Sequence, residues 1–275
     1  MTNRNIQMKK RNGTEWDNLY PITKANNVYD EHGNPVGEQL ENATSRINVI
    51  NGLRTETKNI YVDVNLGNDA IGDGSESNPF KTIQKAVDMI PKIINKDHYI
   101  KCKPGDYNEE VVIQSINGAG IFITCPEANP DPSQATGFSV VSISFYDCAG
   151  YCVVQNFDSF AGDTFNARAH ILFSRCAYGS VGSSRFDSWA KNNGTGKPDI
   201  LFDGSVGSIQ SNYFNNQHRC LQAMNGSQVR VDDTNTAVGD STYGLTAQAA
   251  TIYKNGNVTF SATFPEQKLQ GGQIW

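Results

Sequence analysis

The sequence predicts an all-β chain wound as a parallel solenoid, and three observations carry that expectation. Apolar residues recur in register: Ile143, Ile171 and Ile200 stand 28 and 29 residues apart, with Phe145, Phe173 and Phe202 keeping the same steps. Each repeat consists of short alternating runs broken by Gly, Ser and Asn, a strand–turn–strand pattern. Helix-forming runs vanish after Ile94. A period of about 20 to 50 residues marks a solenoid, a propeller or an array, and a propeller blade needs four strands in roughly 40 residues or more. One coil per repeat, like stacked on like, fits the shorter period better.

Further columns extend the pattern. Cys152, Val181 and Ile209 form a third at 29 and 28, and Phe157, Phe186 and Phe214 a fourth. Val229 and Val231 lie 29 beyond Ile200 and Phe202, and Tyr243 lies 29 beyond Phe214.

Residues 1–37 read as a separate docking segment of short strand-like pieces, with turns at Asn12-Gly13 and His32–Pro35, too small to hold a core of its own. Residues 38–57 read as a helix whose Leu40, Ala43, Ile47 and Ile50 make one narrow apolar stripe. That stripe serves either packing on a neighbouring domain or a two-heptad coiled coil between sister chains. The solenoid is expected over 58–253. Its first coil is closed by a helix at 79–90, with Ser77 or Asn78 as cap and Phe80, Ile83, Ala86, Val87 and Ile90 on its apolar face. Residues 254–275 leave the period and are expected to cap the far end or to pair with a neighbouring subunit, with Ile274 and Trp275 buried.

The bulk numbers exclude several classes. A formal charge of −5, with Lys9-Lys10-Arg11 as the densest basic run, argues against a nucleic-acid partner. No apolar stretch approaches the roughly 20 residues that span a bilayer, so no membrane insertion is expected. The opening residues are polar without a hydrophobic core, which predicts synthesis without a Sec signal peptide. The six cysteines match no disulfide scaffold or CxxC zinc pattern, and are expected to be reduced, buried small hydrophobes. Cys148 and Cys176 would stack inward in one column. No metal and no cofactor are expected. The acidic loop at 63–74 has Asp63, Asn65, Asp69 and Asp73 at spacings that fit turns, not an EF-hand.

Two motifs add a resemblance. The phrases "PFKTIQKAV" at 79–87 and "PGDYNEEVVI" at 104–113 resemble the capping helix and first coil of right-handed parallel β-helices of the pectate-lyase-like superfamily. The resemblance implies a right-handed β-helix, and leaves the chemistry open because that fold carries lyases, hydrolases and inert shafts. The N-terminal phrase at Tyr20–Val28 and the turn at Asp30–Asn34 resemble the opening of tail and appendage proteins from viruses of Gram-positive bacteria. That second resemblance implies a bacteriophage virion structural protein, a tail fibre or tailspike component located in the virion tail. It implies docking to other tail proteins through residues 1–37, homotrimer assembly, and attachment to host cell-wall glycan or teichoic acid.

Tailspikes of this kind often cleave polysaccharide with paired carboxylates. Glu is absent between Glu127 and Glu266, so Asp must serve, and "FDSF" at 157–160 with "FDSW" at 186–189 offers Asp158 and Asp187. In the repeat alignment they stack one coil apart, with Phe160 and Trp189 as an aromatic platform for a sugar. Arg185, His170, Arg168 and Arg175 would supply charge for an anionic polymer. The competing reading makes Asp-Ser an ordinary turn former copied by the repeat. With the exception of a modest Gly-rich loop at 190–200, which could contact a ligand, the regular coil length leaves little room for the loops that wall a polysaccharide cleft, and favours a binding appendage or a non-binding adaptor over a depolymerase.

Overall fold

The structure is a computed structural model that describes residues 8–12, 15–19, 29, 33, 35–50, 57–159, 166–187 and 196–275. It divides into two compact units, Met1–Ile50 and Asn51–Trp275. In the first, Met8–Asn12 and Glu15–Leu19 pair antiparallel, and helix α1 spans Val36–Ile50. The helix begins two residues before the expected start at 38, and residues 51–56 of the expected span lie outside the described residues. Leu40 is 58% exposed within this unit. The phrase Tyr20–Val28 lies outside the described residues, as do all of Asp30–Asn34 except Gly33.

The second unit is an all-β parallel solenoid of about seven turns. One face is a nine-stranded parallel sheet that runs from Lys58–Val62 through Tyr151–Gln155, Tyr178–Gly182 and Val206–Gln210 to Gln273–Ile274. The ten-stranded sheet supplies the remaining walls, because long strands such as Phe138–Tyr146 and Thr236–Gln248 run from one wall into the next. The predicted columns exist here. Ile171 pairs with both Ile143 and Ile200, and Phe173 with both Phe145 and Phe202. The Phe173 ring stacks 5.3 Å from Phe145 and 4.9 Å from Phe202. All six residues are fully buried, and each such phenylalanine stabilises the coil by about 2–3 kcal/mol.

Other parts of the repeat alignment are corrected by the pairing. Val181 is paired with Val154 and Ile209, while Cys152 sits beside Gly179. Val229 and Val231 belong with Gly207 and Ile209 on the nine-stranded face, and Tyr243 pairs with Arg219. The reason is that the coil shortens. Ile200 meets Leu221 only 21 residues on, and Leu221 meets Leu245 after 24. The longer period upstream includes extra residues between Ser159 and Ile171 and between Asp187 and Pro198. Two successive coils carry insertions of similar length, so the period stays regular and conceals them.

Every coil turns one corner through a left-handed residue. Ser115, Asp147, Arg175, Gly204, Asn225, Ala249 and Gln270 all have φ between 48° and 60°. The first six donate their N–H to a carbonyl of the next coil at 2.8–3.2 Å. That bond holds non-glycine residues in a conformation that otherwise costs about 1–2 kcal/mol. A second corner carries a buried amide ladder. Asn212 Oδ1 accepts from Ser184 N at 3.1 Å, and its Nδ2 donates to Val181 O at 3.1 Å and Asn235 Oδ1 at 2.9 Å.

The first coil is closed by helix α2, Ile83–Asp88, shorter than the expected 79–90. Phe80 is held extended as a bridge partner of Val62, which delays the helix, and Thr82 is its cap. Asp69 accepts from Lys81 N, Thr82 N and Thr82 Oγ1, and Glu109 accepts from Ile83 N at 2.8 Å and Gln84 N at 3.0 Å. Burial pushes the Glu109 carboxyl up, against the lowering effect of those two N–H groups. At the other end the expected departure from the repeat does not occur. Phe260–Leu269 pairs parallel with Thr236–Gln248, and Gln273–Ile274 pairs with Thr251–Asn255, so residues 254–275 add a coil. Ile274 is buried on Ile252, whereas Trp275 is 66% exposed, contrary to expectation.

Three substitutions test the corners by urea unfolding. Ala249→Gly is expected to raise stability by about 1 kcal/mol and Gly204→Ala to lower it by about as much. Asn212→Ala, which strands Ser184 N–H and Val181 C=O in the interior, is expected to cost about 2 kcal/mol or more. A neutral Asn212→Ala would show that the ladder contributes nothing.

Candidate functional site

The wall that follows the amide corner presents its inward aromatic column, Phe157, Phe186 and Phe214, to the core and a polar ladder to the outside. Phe186 lies 5.0 Å from Phe214 and 5.5 Å from Phe157, centroid to centroid. By strand register the outer rungs are Asp106, Ser139, Asp158, Arg185 and Tyr213. Asp158 therefore pairs with Arg185, and Asp187 with Asn215. The expected stacking of Asp158 on Asp187 is incorrect. After the left-handed Asn156 the chain places Phe157 inward at once, whereas after the left-handed Ser183 it inserts Ser184 and Arg185 before Phe186. The aromatic repeat and the backbone pairing are offset by two residues.

Arg185 lies between the two acids. Its Nη2 pairs with Asp187 Oδ2, its Nε is 3.9 Å from Asp158 Oδ1, and its Nη1 donates to Ser133 O. The guanidinium carbon lies 5.1 Å above the Tyr213 ring. Asp158 Oδ2 accepts from Thr136 N at 3.0 Å, and Asp187 Oδ1 accepts from Asn215 Nδ2 at 2.8 Å. With 14% of its side chain exposed, Asp158 is pushed up to about 6 by burial, against the Thr136 N–H and the Arg185 charge, with Asp187 and Asp106 adding to the rise. A carboxyl that titrates there has the acidity of a general acid. Its hydrogen bonds, however, are already made within the wall.

Phe160 and Trp189 lie outside the described residues. His170 is no surface ligand: it is fully buried between the rings of Phe157 and Phe186, and its Nδ1 lies 3.1 Å from Val141 O. Burial pushes it down to about 4, so it is neutral inside the coil. Arg168 is paired with Asp203 at 2.6 Å and Arg175 with Asp147 at 2.6 Å, so these charges are neutralised at the surface. The acidic loop at 63–74 does turn and cap work, with Asp63 Oδ1 accepting from Asn65 N and Leu66 N.

Two functional positions were missed by sequence reasoning. Glu110 accepts from Asn166 N and Ala167 N at 2.9 Å each, tying the return of the first insertion to a coil two rungs away. The only sequence signal was the Glu109-Glu110 doublet, of which Glu109 belongs to the first-coil motif. Asp199 is fully buried, and neither of its carboxylate oxygens has a hydrogen-bond partner among the described residues. Burial holds its carboxyl well above the usual range. A hollow of about 160 Å3 opens elsewhere, lined by Tyr61, Glu76, Lys101, Lys103 and Glu127, and it is bridged by the Lys103–Glu127 ion pair. It is remote in register from the Asp158 ladder and shares no residue with it.

Comparisons with family models, curated proteins and solved structures found no match to this chain.

The ladder predicts a pH signature. Because the Asp158 carboxyl titrates near 6 in the folded protein and near 3.9 when unfolded, the native state binds the proton more tightly. Its contribution to stability is present below about pH 4 and falls away as pH rises through 6, by up to about 3 kcal/mol. Asp158→Asn, which keeps an acceptor for Thr136 N–H, is expected to flatten that slope in unfolding experiments run from pH 4 to 8. An unchanged slope would remove Asp158 as its source.

Proposed function

We propose that this chain is a structural component of a bacteriophage tail appendage that attaches to the wall of a Gram-positive host. Its solenoid body holds cell-wall glycan or teichoic acid without cleaving it. The reading of a virion protein rests on the resemblance at Tyr20–Val28 and Asp30–Asn34. The docking of residues 1–37 to other tail proteins and assembly as a homotrimer, supported by the stripe on α1, belong to the same proposal.

One observation carries the non-catalytic part. Asp158 and Asp187 share Arg185, and each has a further donor, Thr136 N–H for one and Asn215 Nδ2 for the other. A pair of hydrolytic carboxylates needs one to give a proton to the leaving oxygen and the other to attack or activate water. Here that capacity is taken up by internal pairing.

A second reading keeps some force. The raised Asp158 carboxyl suits an acid, and the coils that carry the two aspartates also carry the additional residues before Ile171 and Pro198. In that reading the chain is a glycan- or teichoic-acid-degrading tailspike hydrolase. A non-binding tail adaptor is the third reading.

The test is incubation of the purified chain with host wall polymer, following binding by pull-down and polymer length by electrophoresis. Capture with unchanged length is the expected result. Shortening abolished by Asp158→Asn and by Asp187→Asn would establish the hydrolase, and absence of both effects the adaptor. Light scattering is expected to return three times the chain mass, and a monomer would overturn the trimer.

A further inference from the structure

Three thiols converge inside the solenoid. Cys148 and Cys176 follow the left-handed residues Asp147 and Arg175 at one corner of successive coils, and Cys152 lies in the strand Tyr151–Gln155 that leaves it. Their Sγ atoms all lie within 4.8 Å of one another, and the residues are 2%, 4% and 1% exposed, respectively. As thiols they have weak partners. Sγ of Cys148 is 3.4 Å from Tyr146 O, that of Cys176 3.5 Å from Ser174 O, and that of Cys152 3.9 Å from Gly150 O.

A metal about 2.3 Å from each of three sulfurs sets those sulfurs roughly 4.0 Å apart, so the trio needs a contraction of under about 1 Å. Among the described residues no fourth His, Cys, Asp or Glu joins the group. Structural zinc takes four ligands, and the enclosed position offers no open side for water as the fourth. Soft sulfur ligands select copper(I), whose filled d shell is satisfied by two or three of them.

We propose that Cys148, Cys152 and Cys176 form a three-sulfur site for a single copper(I) ion, loaded as the corner closes during folding. Each thiol releases its proton as its copper–sulfur bond forms, and no electron is transferred. The fold accepts serine at this corner. Ser205 occupies the next rung after Cys176, and its Oγ accepts from Cys176 N at 2.9 Å. Replacement of the cysteines by serine is therefore expected to leave the solenoid intact.

The experiment refolds the full chain without oxygen in one equivalent of copper(I), removes free metal, and measures copper per chain and ultraviolet thiolate-to-copper absorption. One copper per chain with that absorption is expected. Joint substitution Cys148→Ser, Cys152→Ser and Cys176→Ser is expected to lower copper retention at least about tenfold, with circular dichroism unchanged. The complementary variant, Cys102→Ser, Cys125→Ser and Cys220→Ser, is expected to keep both signals, and its copper-edge X-ray absorption to show three sulfur neighbours. Failure of the parent chain to retain copper would overturn the proposal. So would loss of copper from the complementary variant, which tests the site even if the first variant does not fold.

Discussion

The fold depends on one requirement: a backbone N–H or C=O in the wall of a coil must be met by the coil above or below it. Inside a stack there is no water to take an unmet group. A residue is therefore bound to its column before its side chain has any say. Columns then acquire chemistry of their own, apolar where Phe145, Phe173 and Phe202 stack, and amide where Ser184, Asn212 and Asn235 satisfy a corner that lacks regular pairing. The left-handed residues follow from the same demand, since the corner must turn sharply while its N–H still points along the axis.

The outer surface obeys a corollary. Neighbouring rungs are about 4.8 Å apart, so two like charges in one column repel unless something lies between them. Arg185 lies between Asp158 and Asp187, Arg175 answers Asp147, and Arg168 answers Asp203. Such neutralisation keeps a long stack from tearing itself apart electrostatically.

Much of the fold was legible because stacking writes itself into sequence as a period. Ile143, Ile171 and Ile200 announce their wall, and the motif Glu109 has a physical reason in the α2 N–H groups that it receives. What was not legible has physical causes too. Period reports the distance between equivalent residues, not where the intervening residues go, so the residues before Ile171 passed for regular coil, whereas the Gly-rich composition of 190–200 showed a loop. A two-residue difference after Asn156 and Ser183 moved Asp158 out of line with Asp187, although Phe157 and Phe186 kept their ring contact. The burial of His170 was not read from its position, although Ala169 and Ile171 beside it in the chain are apolar. Its enclosure comes from Phe157 and Phe186 in other parts of the stack.

The closure of later coils in 21 to 24 residues has an evolutionary meaning. A complete turn needs no more than that, so the additional residues before Ile171 and Pro198 are surplus to the scaffold. The described strands on either side of both lie on adjacent rungs of the ten-stranded sheet. The additional residues can lengthen, shrink or be exchanged while the stack beneath keeps its shape, as tools change on a fixed handle. Selection for a new surface would act there first, and the columns would record none of it.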